Sequence, residues 1–137
     1  MALVLDTGPL FAAMDRSDVD HIRCAALVED AREPIIVPAP VVGEVDWLAS
    51  RRLQAEAFLS LLADIQESRL VVEELELADY ERCRELVDRY RNLPLGFVDA
   101  AVMSVVERLG EAKLATLDHR HFTIVRPRHV PTLRLLP

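Results

Sequence analysis

The sequence predicts an α/β fold in which helices cover a mainly parallel sheet of four to five strands. Three observations predict it. Short all-apolar runs recur along the chain and read as strands buried on both faces, the mark of a parallel sheet. Longer segments between them carry apolar residues at helical spacing. No internal repeat, low-complexity stretch or Gly/Ser linker breaks the alternation, so residues 1–137 are expected to form one domain.

The elements follow in order. ALVL (2–5) is an apolar run ended by Asp6, expected to be a buried strand, and a short helix is expected after Pro9. From Asp18 to Arg32, Val19, Ile22, Ala26, Leu27 and Ala31 repeat at helical spacing, with Asp18 as the expected N-cap. IIV (35–37), between Pro34 and Pro38, is a second strand. Pro40 to Leu53 opens with a proline suited to a first helical turn and sets Val41, Val45 and Leu48 on one face. Ala55 to Gln66 repeats the pattern with Phe58, Leu61, Leu62 and Ile65, and LVVEEL (70–75) is a third strand. Ala78 to Tyr90 carries Cys83, Leu86, Val87 and Tyr90 on one stripe; NLPLG breaks the chain, and Phe97 to Leu109 is a strongly apolar helix capped by Gly110. KLATL (113–117) is a strand running into Asp118, with TIV (123–125) and TLRLL (132–136) as expected edge strands.

Composition excludes several classes. No segment approaches the roughly 20 apolar residues that span a bilayer. The N-terminal run MALVLDTGPLFAAM lacks a basic leader and contains Asp6, unlike a secretory signal, so a cytoplasmic location is expected. Cys24 and Cys83 fall singly inside helical patterns, which points to reduced, buried thiols. The formal net charge of −7 opposes broad electrostatic binding of nucleic acid. The stretch from Lys113 onward is locally basic, however, with Arg120, Arg126, Arg128 and Arg134 against Asp118 alone.

The informative acids are those placed where a surface acid is not expected. Asp6 and Asp118 each follow an apolar strand, and ligands of open α/β sheets bind outside the carboxyl ends of strands. Asp99 lies in the first turn of the helix from Phe97, where the helix dipole favours a carboxylate. Glu44 sits between Val42 and Val45 on an apolar helix, where a structural role would require a buried partner. Four carboxylates in one crevice repel and raise one another's pKa values. Divalent metal resolves this, and an oxygen-only ligand set selects Mg²⁺ or Mn²⁺ over zinc. Such ions act on phosphodiesters, and no glycine-rich phosphate loop or zinc pattern competes with that reading. Thr7 and Thr116 are candidate supports for Asp6 and Asp118. His119, Arg120, His121, Arg51 and Arg52 are candidate substrate contacts, each with an ordinary turn or helix-end role as the alternative. Trp47, the only tryptophan, is better suited to core or dimer packing than to base stacking, and Asp15 and Asp46 are read as surface acids.

Taken together, LVLDTGPL, VPAPVVGEVDWL, LPLGFVDAAV and ATLDHRHF resemble the ordered motifs of the PIN-domain family, and within it the VapC-type toxins of toxin–antitoxin pairs. The resemblance implies a PIN-like three-layer α/β/α fold and a Mg²⁺- or Mn²⁺-dependent ribonuclease. It also implies a homodimer inhibited by a small antitoxin protein that inserts a segment into the active-site groove. Carried over by position, it makes Asp6 and Asp99 the direct metal ligands, with Glu44 and Asp118 completing the site. Three readings compete. LVLDTG also matches the Asp-Thr-Gly loop of aspartic proteases, which would require an almost all-β chain. The acids could belong to a non-catalytic module that attracts a basic partner, or to a related nuclease acting on DNA.

Overall fold

A computed structural model describes all residues, 1–137. Its elements are β1 (Leu3–Leu5), α1 (Thr7–Met14), α2 (His21–Glu29), β2 (Ile35–Pro38), α3 (Ala39–Arg52), α4 (Ala55–Gln66), β3 (Val71–Glu73), α5 (Leu77–Arg89), α6 (Phe97–Leu109), β4 (Lys113–Ala115), α7 (His119–Ile124) and β5 (Arg134–Leu136). The five strands form one sheet in the order β3-β2-β1-β4-β5, and every pairing is parallel. This is the expected three-layer α/β/α arrangement, and the seven helices exclude the all-β protease alternative. No helix is long and apolar enough to cross a membrane.

Topology decides where a site can lie. From β1 the chain moves outward through β2 to β3, then returns across β1 to β4 and moves outward the other way to β5. Right-handed crossovers made in opposite directions cover opposite faces of a sheet. The reversal leaves a crevice between the carboxyl ends of β1 and β4, the switch point at which such folds bind ligands. β1 is buried at every residue, as a central parallel strand requires.

The core joins this strand to α6, whose Ala100 to Val106 are all buried, and to Val41 and Val45 of α3 and Leu86 of α5. Two arginines lock α5 to α6. Arg82 forks across both carboxylate oxygens of Glu107 at 2.8 and 2.9 Å. Arg108 reaches Asp79 at 3.0 Å and Glu73 at 2.8 Å. Asp79 is buried and also accepts the backbone N–H of Glu76 in a capping box, so it needs that cation. Gly110 ends α6 at φ 68°, a left-handed conformation that glycine adopts without strain. Cys24 and Cys83 are free and buried as expected.

Several expected details change. TIV (123–125) is no strand: Thr123 and Ile124 end α7, and β5 alone forms that edge. Helix α1 begins at Thr7, two residues before Pro9, because Asp6 caps it. Helix α2 begins at His21, and Asp18 instead closes a turn by accepting the N–H of Asp20. The expected α2 stripe is also rotated. Val19 and Ile22 are 95% and 84% exposed, and Cys24 with the partly buried Leu27, Val28 and Ala31 faces the core. Strand β4 stops at Ala115, so Asp118 lies beyond the strand rather than at its tip.

Arg108→Ala should leave the Asp79 carboxylate buried beside only its backbone donor. We expect a loss of about 3 kcal/mol, read as a lower denaturant midpoint at unchanged slope.

Candidate metal centre at the sheet switch point

Asp6 follows β1 directly and is 5% exposed. One carboxylate oxygen accepts the N–H of Thr7 at 2.8 Å, and the other accepts the Thr116 hydroxyl at 2.8 Å. The Thr116 hydroxyl in turn accepts the backbone N–H of Asp118 at 3.0 Å. A single buried side chain thus couples the acid after β1 to the loop after β4. The Thr7 hydroxyl donates to Glu44 Oε2 at 3.0 Å, which ties α3 to the same edge.

The second half of the site is built on α6 and α7. Asp118 caps α7 by accepting the N–H of His121 at 3.0 Å. That bond turns His121 inward. Its Nδ1 lies 2.8 Å from Asp118 Oδ2 and 3.1 Å from Oδ2 of Asp99, in the first turn of α6. Donor atoms of Asp99, Asp118 and His121 all fall within 4.8 Å of one another.

Electrostatics supports a cation here. Burial pushes the Asp6 carboxyl up to about 6; the Thr116 and Thr7 hydrogen bonds pull it down, and the charges of Asp99 and Glu44 add a smaller upward push. Burial also raises Asp99, against the hydrogen bond and charge of His121, while Asp118 pushes it further up. Mutual repulsion, the upward push expected from sequence, is present but secondary to desolvation. Carboxylates this poorly solvated gain most from an ion that replaces lost water. The donor set fits a divalent metal.

The structure sorts the expected residues. Asp6, Thr7, Glu44, Asp99, Thr116 and Asp118 all lie on one edge, in two hydrogen-bonded groups that meet at Thr116. Glu44 is exposed and needs no buried partner, because the buried side of α3 is Val41, Val45 and Ala49. His119 and Arg120 are exposed, and His119 Nε2 contacts the Thr116 carbonyl at 3.1 Å. Arg51 is exposed and stacks over Trp47 at 3.9 Å, and Arg52 stands 6.0 Å from the ring of Phe11. Trp47 is 55% exposed and so is not a core residue. Asp46 is exposed, and Asp15 is committed to a turn with Ser17. The basic stretch from Lys113 onward is partly neutralised, since Lys113 pairs with Glu33 and Arg128 with Glu85.

His121 is the residue that sequence reasoning undervalued. Reading residues 123–125 as a strand hid the helix that begins at His119. With that helix recognised, an Asp at the N-cap and a His three residues on share one turn.

Comparison with known proteins places the chain in a family. The sequence pattern of the PIN domain matches residues 3–126. The chain is 27% identical over 125 residues to Ribonuclease VapC26 of Mycobacterium tuberculosis (strain ATCC 25618 / H37Rv), covering 91% of this chain and 93% of that protein. In three dimensions it is similar to VapC20 of Mycobacterium tuberculosis, described as a sarcin–ricin loop cleaving toxin. The TM-score is 0.82 at 22% identity, covering 94% of this chain and 98% of that one. VapBC2 of Rickettsia felis, solved with a DNA fragment from its promoter, aligns over 100% of both chains with a TM-score of 0.72 and 18% identity. At these identities the two structural likenesses speak for the fold.

The raised Asp6 value carries a pH signature. The folded chain holds this proton more tightly than the unfolded chain, whose value is near 3.8, so metal-free stability is greatest below 3.8 and falls as pH rises toward about 6. Asp6→Asn removes the charge and keeps the shape. At pH 7.5 in chelator it should be more stable than wild type by up to about 3 kcal/mol, and the gap should close below pH 4 in thermal melts.

Proposed function

The chain belongs to the PIN-domain family, and from that membership we propose that it is the ribonuclease toxin of a type II toxin–antitoxin pair. The observation that carries this reading is the cluster of Asp99, Asp118 and His121 donor atoms within 4.8 Å of one another, beside the buried Asp6, which feels the charges of Asp99 and Glu44; burial raises the carboxyls of both Asp6 and Asp99. The name of VapC26 and the description of VapC20 support RNA as the substrate. The reaction is endonucleolytic hydrolysis of a phosphodiester, and the ion is Mg²⁺ or Mn²⁺.

Each residue has a role in this proposal. Asp99 and Asp118 hold the ion from α6 and α7. Asp6 supplies the buried negative charge behind them, fixed by Thr7 and Thr116 so that it cannot swing toward solvent. Glu44 completes the acidic rim through Thr7. When bound, a divalent ion supplies charge neutralisation at phosphate and a more acidic water. His119 and Arg120 are exposed on α7 beside Asp118, and Arg51 is exposed on α3; in this proposal they bind the RNA backbone, which compensates locally for a net charge of −7.

A partner protein is part of the proposal. Val19 and Ile22 expose apolar surface at the start of α2, and Leu59 and Leu62 do so on α4. Cover by a small antitoxin and by a second copy of the chain accounts for such surface. The enzyme works in the cytoplasm, where its RNA substrate lies.

Purified protein should cleave RNA with Mg²⁺ or Mn²⁺, leave DNA of the same sequence intact, and stop in EDTA. Asp99→Asn should lower the rate at least 100-fold, since metal-centred stabilisation is worth several kcal/mol. Equal cleavage by wild type and variant would refute the site assignment.

A further inference from the structure

We propose that His121 is itself a ligand of the divalent ion, its Nδ1 making the centre a mixed nitrogen–oxygen site that favours Mn²⁺ over Mg²⁺. The inference rests on the metal-dependent reading above and adds a donor that the four-acid pattern lacks.

Spacing carries it. In an octahedral centre with bonds of about 2.1 Å, neighbouring ligand atoms stand roughly 3.0 Å apart. His121 Nδ1 lies 2.8 Å from one oxygen of Asp118 and 3.1 Å from one of Asp99. These are the edge lengths of a coordination shell. The three donors come from two elements, α6 and α7, and each is only partly exposed, at 20%, 22% and 39% for His121, Asp99 and Asp118.

The backbone holds the ring in place. Asp118 Oδ1 accepts the His121 N–H while its Oδ2 faces His121 Nδ1, so one carboxylate orients both the main chain and the ring. Phe122, the next residue, is buried and anchors the turn from below. The inward position of Nδ1 is thus fixed by packing and capping together. As a ligand, the imidazole carries its proton on Nε2.

Donor chemistry then sets the preference. Mg²⁺ favours an all-oxygen shell and gives up water reluctantly, whereas imidazole suits transition metals. An oxygen-only site was the expectation from sequence. A nitrogen in the shell shifts selectivity toward Mn²⁺. The contrary role for His121 is a cation substitute that sits between the acids and leaves when metal enters. The two roles predict opposite effects of removing it.

The test uses the full chain, stripped with EDTA, and Mn²⁺ alone as probe. Mn²⁺ affinity is read from loss of the free-ion electron paramagnetic resonance signal, and nitrogen coordination from ¹⁴N modulation in pulsed spectra. Wild type should bind Mn²⁺ with a ¹⁴N signal. His121→Ala should lose that signal and weaken Mn²⁺ at least tenfold, as loss of a donor must if supporting groups already cost 10–100-fold. Mg²⁺ affinity, measured by competition, should fall less. His121→Asp should recover binding without the nitrogen signal, which separates lost ligation from lost folding. Mn²⁺ bound to wild type without ¹⁴N coupling, or bound as tightly or more tightly by His121→Ala, overturns the proposal. Failure of folded wild type to bind Mn²⁺ at all overturns the metal reading beneath it.

Discussion

The arrangement depends on one buried anion. Asp6 sits at the carboxyl end of the central strand, almost fully removed from water, and is held by a backbone N–H and a threonine hydroxyl rather than by a cation. Such burial is costly to the apo fold, and the cost is tolerable only because hydrogen bonds recover part of the lost hydration. Thr116 is the economical element here. Its hydroxyl donates to Asp6 and accepts from the backbone of Asp118, so the same atom that stabilises one acid positions the other.

Stability and function therefore oppose each other locally. The carboxylates that destabilise the metal-free protein are the ones an ion would bring into register, which is a common arrangement at functional sites. The rest of the fold is built to absorb this. Helix α6 is buried along seven consecutive residues from Ala100 to Val106, immediately after Asp99, and two arginine-centred ion-pair clusters clamp it to α5. Rigid packing behind this edge keeps the acids from relaxing apart.

Much of this was legible in the sequence. Apolar runs before Asp6 and the helical periodicity around Asp99 are local signals, and both survive unchanged in the structure. What was not legible depends on long-range context. The short run TIV has strand-like residues but follows Asp118 at the spacing of a helix cap, and tertiary packing of Phe122 and Val125 decides for the helix. Missing that helix hid His121. Glu44 was read from its apolar neighbours, but it stands at the rim of that stripe, about 60° around the helix from Val41 and about 100° from Val45, where it is exposed and accepts the Thr7 hydroxyl. The α2 stripe held only in part: Leu27 and Ala31 pack on the core while Val19 and Ile22 do not, because two apolar faces were available and only docking chooses between them. Substrate and partner follow from family membership and similarity to relatives, because no arrangement of acids distinguishes RNA from another phosphodiester.

The claim on which all of this turns is that the switch-point acids share one ion. Crystals of the chain soaked in Mn²⁺ and measured by anomalous diffraction at the manganese edge address it directly. The account predicts one strong peak between β1 and β4, within coordination distance of Asp99, Asp118 and His121 and on the Asp6 side of the crevice. A peak confined to other surface acids, or none at the switch point under saturating Mn²⁺, would contradict it.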